Sequence, residues 1–427
     1  MSTAKQANRP ASIIGQRPFP PEQVERRPGC PFDPPAARER LREDGPVSKI
    51  RLRNGADLWV ISGYDEARAV LSDVRFSSDV IRRTSSFNLT PEQVAEGPSG
   101  CPVQEGERGD GMFIFMDPPE HTRLRRLLIS QFTVRRMKAL ETRVQEIAVE
   151  LIEAMRAAGT RADLVADFAL PLPSLVICEL LGVAYGDRAE FQERSAITLN
   201  TGNTAEEQAR AGAGLLEFMR TLVAAKRENP GDDLLSGLIR GDLAADPPLS
   251  DAELVDIGLT LLGAGHETTA NMLALSTFAL LEHPDQLAAL RADPALIDNA
   301  VEELMRYLSI VHTGPRRIAT EDLTVAGVTI PAGATVLVSV PTANRDAARW
   351  SAPERLDLTR PRSPHLGFGH GVHQCLGQQL ARVELRIGLA ELFTRLPSLR
   401  LAVPATEIPL RTDMVIFGVH SLPVVWD

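Results

Sequence analysis

One cysteine, Cys375, stands in the run Phe368-Gly369-His370-Gly371-Val372-His373-Gln374-Cys375-Leu376-Gly377, among three glycines and beside two histidines. Downstream, Leu380, Val383, Leu385, Ile387, Leu389 and Leu392 recur at helical spacing. That spacing predicts a helix starting near Leu376, with Cys375 at its N-terminus. The unpaired N–H groups and dipole of such a terminus favour a thiolate and predict a lowered thiol pKa. The glycines let the backbone turn tightly and let a large flat ligand approach. A buried thiolate with no second cysteine nearby points to a metal ligand, and haem iron accepts one axial cysteine thiolate. Two other readings use the same residues. One is a structural free thiol in a glycine-rich turn. The other is a zinc site from His370, His373 and Cys375, although a structural zinc site wants a second ligand cluster and none follows.

A second group of chemical residues is Ala264-Gly265-His266-Glu267-Thr268-Thr269. Thr268 follows Ala264 by four residues, so its hydroxyl can bond the Ala264 carbonyl or compete for it. Gly265 weakens a helix by ~1 kcal/mol relative to alanine. Together they predict a local opening with room for a diatomic ligand or water. An acid beside a hydroxyl in apolar surroundings suits a proton relay, with Glu267 exchanging protons and Thr268 orienting the oxygen species. Read alone, the pair also fits a threonine and an acid satisfying each other inside a helix bundle.

These groups need a frame. Ser250-Asp251-Ala252-Glu253 is a capping box. The helix it opens can run to His283, where Pro284 stops it, a length on the order of 50 Å. Ile257 to Leu281 is apolar on nearly all sides, which predicts a helix through the middle of a large protein. A membrane span is the competing reading, and Glu267, His266 and Asn271 at its centre argue against it. Upstream, Asn54-Gly55 between alternating runs predicts a type I′ hairpin over residues 48–61. Tyr64 to Leu71 predicts a short helix. Arg82 to Gly111 loses periodicity and reads as a functional loop. Met116-Asp117-Pro118-Pro119-Glu120 opens another helix, on which His121 and Arg125 share a face. Helical patterns continue to about Arg240. Pro294 to Leu308 is a further helix, and short strands are expected between Asp322 and Ser339. No internal repeat and no linker between two cores is evident.

Phe368-Gly369-x-Gly371-x-His373-x-Cys375-x-Gly377 resembles the haem-binding loop of the cytochromes P-450, the haem-thiolate monooxygenases. The resemblance extends to Glu267 and Thr268, which match the acid and threonine of the family's oxygen-activation motif. It covers most of the chain and is similar in kind to the soluble bacterial, actinobacterial members. What it implies is a mainly α, single cytochrome P-450 fold with a long central helix and small β-sheets. Residues 31–427 are expected to form one domain, behind a flexible tail of residues 1–30. The resemblance implies Cys375 as axial ligand of haem b, and His121, Arg125, Arg317 and His373 as partners of the haem propionates. Arg316 is a rival to Arg317 in Gly314-Pro315-Arg316-Arg317. It also implies a buried charge triad from Glu303 and Arg306, completed by Arg355 of Pro353-Glu354-Arg355-Leu356, where leucine replaces the family's phenylalanine. The Arg82–Gly111 loop and the Leu164–Leu222 helices are expected to roof the substrate pocket.

Composition agrees with this class. The chain has 427 residues, 24% charged and 44% hydrophobic, with a net charge of -10; its pI of about 5.5 argues against nucleic acid as a partner. The four cysteines, Cys30, Cys101, Cys178 and Cys375, are scattered and form no disulfide framework, which suits a reducing cytoplasm. Met1 to Pro21 holds no apolar stretch of the signal-peptide or anchor kind, so no membrane attachment is expected. No nicotinamide or flavin fingerprint follows a strand. Electrons are therefore expected from separate proteins, and the resemblance implies a ferredoxin and ferredoxin reductase carrying them from NAD(P)H, with Arg123, Arg126, Arg135 and Arg136 as docking candidates. The expected activity is insertion of one atom of O2 into a C–H bond of a lipophilic secondary metabolite (a polyketide, macrolide or terpenoid) by a monomer. A haem-thiolate sensor or ligand carrier without turnover is the alternative.

Overall fold

The computed structural model describes residues 31–81, 83, 109–132, 134–199, 204–242, 248–412, 414 and 416–427, together with residues 19, 23, 25–27 and 29. Most of the expected N-terminal tail, and the Arg82–Gly111 loop apart from residues 83 and 109–111, lie outside the described residues.

The helices in chain order are α1 (Ala36–Glu43), α2 (Tyr64–Ser72), α3 (Glu120–Ile129), α4 (Val134–Ala158), α5 (Pro171–Leu181), α6 (Arg188–Leu199), α7 (Ala205–Glu228), α8 (Leu234–Asp242), α9 (Asp251–Glu282), α10 (Pro284–Ala292), α11 (Ile297–Leu308), the single turn α12 (Val340–Ala343) and α13 (Gln378–Arg395). The strands are β1 (Val47–Arg51), β2 (Asp57–Ile61), β3 (Phe76–Ser77), β4 (Arg161–Asp163), β5 (Arg316–Ala319), β6 (Leu323–Val325), β7 (Val328–Ile330), β8 (Thr335–Val338), β9 (Arg400–Leu401) and β10 (Pro423–Val425).

Helix α9 is the axis. The Ser250 hydroxyl accepts from the Glu253 N–H, and the Glu253 carboxylate accepts from the Ser250 N–H, so the capping box forms as expected. The helix runs 32 residues to its cap at His283. Leu254, Leu262, Leu273, Leu275, Phe278 and Leu280 are buried, and α4, α5 and α13 contribute to the same apolar core. The helix is continuous through Gly265, so the expected opening does not appear as a break or a change of helix type. In its place, the Thr268 hydroxyl donates to the Ala264 carbonyl at 2.6 Å. A bond of that kind satisfies the hydroxyl without requiring the ladder to part.

The helical segment expected in the roof divides. A π-helical turn at Val165–Ala169 leads into α5, and Leu164, Phe168, Leu172, Cys178 and Leu181 are almost wholly buried in the core. Phe168 and Leu172 lie beneath Gly388 of α13. That part is core, not roof, because its apolar side chains are buried, while Asp167 is left at the surface and Glu179 is paired with Arg143 and Arg188. Helices α6 and α7 pack on each other, and Phe191 and Phe218 meet with ring centroids 5.4 Å apart.

A five-stranded sheet, ordered β1-β2-β8-β5-β3, forms the other side of the molecule. β1 and β2 are the expected antiparallel hairpin, Val47 opposite Ile61. β2 pairs parallel with β8, Trp59 opposite Val336. The hairpin turn is not type I′. Gly55 N–H donates to the Leu52 carbonyl, Leu52 N–H to the Ala56 carbonyl, and among the turn residues Gly55 has a positive φ of 85° while Asn54 does not. That is a type I turn closed by a left-handed glycine. The Asn54 side chain is used instead to accept from the Ala56 N–H at 3.1 Å. The helix expected from Pro294 is a 3-10 turn over Pro294–Leu296 that leads into α11.

Candidate active site

The cysteine loop is a tight return. Gly369 N–H donates to the Leu366 carbonyl and Cys375 N–H to the Phe368 carbonyl, both at 2.8 Å. Gly371 adopts φ +73°, and a Cβ there would lie 2.3 Å from the Leu71 carbonyl oxygen, so α2 and the loop touch at a position only glycine can hold. Helix α13 begins at Gln378 with Gly377 at its N-cap, so Cys375 precedes the helix. The Cys375 thiol is consequently not lowered as expected. Burial pushes its pKa up, while the Gly377 N–H, Arg125 and Arg382 pull the other way. Coordination to a metal reverses that balance, since a coordinating thiol gives up its proton.

Four basic residues gather beside this loop. His121 and Arg125 project from α3, whose first turn follows Asp117-Pro118-Pro119. The His121 and His373 rings lie 4.0 Å apart. The Arg125 guanidinium donates to the Gln374 carbonyl, next to Cys375. Burial first, then the charge of Arg125, lowers the His121 pKa to about 4, and Arg317 adds to this. Burial, His121, Arg317 and Arg125 lower His373 to about 3, against a bond to the Met116 carbonyl. Arg316 and Arg317 are successive residues of β5 and so project from opposite faces of the sheet, and the charge of Arg317 bears on both rings. Arg317 is 7% exposed, and burial draws its pKa down to about 10.

The distal candidates are on α9. Gly263 and Ala264 are exposed although the helix on either side is buried, and a Cβ on Gly263 would meet nothing within 4 Å. Thr268 and Glu267 lie one turn further along the same face. Burial raises the Glu267 pKa, and Arg411 opposes that shift through an ion pair. Arg411 also reaches Asn271 Oδ1 at 3.3 Å, while Asn271 Nδ2 donates to the Glu267 carbonyl at 2.8 Å. Sequence reasoning missed Arg411. It lies in a C-terminal stretch that, among the described residues, has an isolated Leu410–Val419 bridge and no regular periodicity to read from the sequence.

The charge triad forms with a different third member. Arg306 gives Glu303 two bonds of 2.8 Å. The third partner is Arg360, whose Nε lies 3.0 Å from Glu303 Oε1. Arg355 is exposed and contributes only its backbone carbonyl, which accepts from Arg306 and Arg360 at 3.1 Å each. The turn at residues 352–355 sends the Arg355 side chain outward and brings Arg360 back. A second network was also missed. Glu302 binds His365 at 3.1 Å and Arg382 at 2.6 Å, and the Arg382 guanidinium lies 4.4 Å from the Phe368 ring centroid. Burial works against the Glu302 charge, yet these two partners hold its pKa down to about 2.

The zinc reading fails on geometry. His370 Nε2 is approached by Arg68 at 3.4 Å and His373 faces His121. Among the described residues no group of three or more His, Cys, Asp and Glu could hold a metal ion. Iron porphyrin fits better. Both ring nitrogens of His121 are buried without a hydrogen-bond partner, and two arginines converge on the same place, as two carboxylate side arms require. Of the docking candidates, Arg126 and Arg135 are exposed, while Arg123 pairs with Glu253 and Arg136 with Asp232. Among the described residues no helix is long and apolar enough to cross a membrane.

Comparison with known proteins agrees with this geometry. The family model described as Cytochrome P450 matches residues 198–424. Cytochrome P450-SU2 of Streptomyces griseolus is 49% identical, over 96% of this chain and 99% of its own. Pentalenic acid synthase of Streptomyces avermitilis is 47% identical, over 93% of this chain and 95% of its own. The crystal structure of Rif16 in complex with R-L is 53% identical, with a TM-score of 0.84, and covers 96% of this chain and 100% of that one.

Proposed function

The chain belongs to the cytochrome P450 family and is a monooxygenase of that family, and we propose that it hydroxylates or epoxidises a lipophilic secondary metabolite of the polyketide, macrolide or terpenoid kind. The observation that carries the site assignment is the meeting of His121, His373, Arg125 and Arg317 beside Cys375. We assign haem b to that site and residues 31–427 to one domain. Bound haem with a thiolate ligand supplies the oxidant that places one atom of O2 in the substrate.

The residues of this chain do the rest. Cys375 Sγ is the iron ligand, steadied by the Gly377 N–H. His121, Arg125, Arg317 and His373 hold the propionates. The Thr268 hydroxyl donates a hydrogen bond to the Ala264 carbonyl at 2.6 Å, which leaves its oxygen lone pairs as acceptors for an incoming proton donor. Glu267 exchanges protons with solvent and passes them toward Thr268, and Arg411 sets the charge at which it does so. Electrons from NAD(P)H enter through a ferredoxin and its reductase at the face that carries Arg126 and Arg135. The relative named pentalenic acid synthase supports the substrate class. We place the protein in the cytoplasm as a monomer.

The test is spectroscopic and then functional. The reduced, carbon monoxide-treated protein should show the thiolate-ligated spectrum, and Cys375→Ser should abolish it. A panel of lipophilic metabolites should then give spin-state shifts, and binders should drive NADPH consumption with surrogate redox partners. An unchanged Cys375→Ser spectrum removes the site assignment. Tight binding without turnover removes the substrate proposal.

A further inference from the structure

A second group of cations is buried far along the sequence from the cysteine loop, where the N-terminal segment meets the C-terminal stretch. Arg38 and Arg345 are 1% and 3% exposed. The Arg26 guanidinium lies 3.4 Å from the centroid of the Phe417 ring, and the His312 ring packs on the same phenylalanine. Arg38 donates to the His312 carbonyl. Arg26 donates to the Asp33 carbonyl, and Arg345 donates to Asp33 Oδ1 at 2.7 Å. Shared partners therefore tie three guanidinium groups into one cluster.

Among the described residues, negative charge is short there. Asp33 serves Arg345, while Glu39 is engaged by the more exposed Arg27. Burial, Arg345 and Arg38 lower the Arg26 pKa to about 9, against Asp33 and Glu39. His312 adds no charge. Its Nε2 bonds the Met414 carbonyl, and burial with Arg38 and Arg26 lowers its pKa to about 3. Unsatisfied donors outnumber unsatisfied acceptors there as well, His312 Nδ1 being a buried ring nitrogen without a partner. Arg26 Nε and Nη2, Arg38 Nη2 and Arg345 Nε are all buried with no partner. Buried charged donors are normally satisfied by protein, water or an ion. Water accepts hydrogen bonds but leaves the excess charge; an anion answers both needs.

We propose that Arg26, Arg38 and Arg345 form a binding site for a compact inorganic anion, a halide or an oxyanion, which fastens the N-terminal segment onto the Phe417 stretch. The test uses the full, haem-loaded chain, with chloride or sulfate replacing gluconate at constant ionic strength. The apparent unfolding temperature should rise by about 1.5 °C per tenfold increase in one of the two anions above its dissociation constant. Arg26→Met, which keeps the apolar stem over Phe417, should abolish that slope, as should Arg38→Met should the first variant fold poorly. Crystals soaked in bromide should show an anomalous peak among the three guanidinium groups. Equal slopes in parent and variants overturn the proposal. So does a peak without a difference in slope, which marks an adventitious ion only, or no response to either anion.

Discussion

Arg411 closes an ion pair on Glu267 across 144 residues of sequence, joining an irregular C-terminal stretch to the middle of the central helix. The pair is mostly buried, with side chains 12% and 15% exposed. Burial alone favours the neutral acid, and Arg411 favours the carboxylate. Arg411→Met should therefore leave Glu267 protonated to higher pH. The pH at which half-maximal product is formed per NADPH consumed should move upward, and the urea midpoint should fall by an amount equivalent to about 2–4 kcal/mol. A lower urea midpoint with an unmoved pH profile would show that Arg411 is structural and does not act on proton transfer.

The third member of the Glu303–Arg306 group can be tested by comparing two arginines five residues apart. Arg355 offers only its carbonyl, so Arg355→Ala should change stability by less than about 0.5 kcal/mol. Arg360 bonds Glu303 directly and is largely buried, so Arg360→Ala should cost roughly 1–3 kcal/mol. Arg306→Ala takes two of the three guanidinium bonds from buried Glu303 and leaves it Arg360 alone, and should cost about 3–5 kcal/mol and lower haem retention. Equal effects at positions 355 and 360 would contradict the observed geometry.

Haem loading should separate the neighbouring arginines. The charge of Arg317 bears on His121 and His373, and Arg316, its neighbour on β5, projects from the opposite face of the sheet. Arg317→Leu should reduce the haem content of the purified protein several-fold, and Arg316→Leu should leave it near parental. Absorbance ratios of haem to protein decide between them.

Glu384 gives stability its own pH dependence. It is 3% exposed on α13, its Oε2 has no partner, and burial raises its pKa to about 8. The folded chain therefore keeps a proton that the unfolded chain releases above pH ~4.3. This contribution to stability is fully present below that value and is lost as pH rises towards about 8. Glu384→Gln should flatten the decline in denaturant midpoint between pH 5 and 8. A parallel decline in both proteins would assign it to other groups.

What the sequence made legible was local. The Ser250 capping box, the apolar run from Ile257 to Leu281 and the spacing of Thr268 on Ala264 are contacts within one or two turns, and each forms. The glycine-rich cysteine loop was legible for the same reason. What escaped depends on where a chain reversal points a side chain. The turn at residues 352–355 decides between Arg355 and Arg360, and no spacing rule reports it. Arg411 and the Glu302–His365–Arg382 network are pairs made across distant segments. The thiol shift was misjudged because α13 starts two residues later than its apolar pattern suggested, leaving burial in control at Cys375.

The parallel pairing of β2 with β8 sets an order of events during synthesis. Trp59 leaves the ribosome long before its partner Val336 exists. At about 5–20 residues per second, the wait is on the order of tens of seconds. Through that interval one edge of the β1–β2 hairpin stays open, and a nascent chain in that condition is where a chaperone has the most to protect.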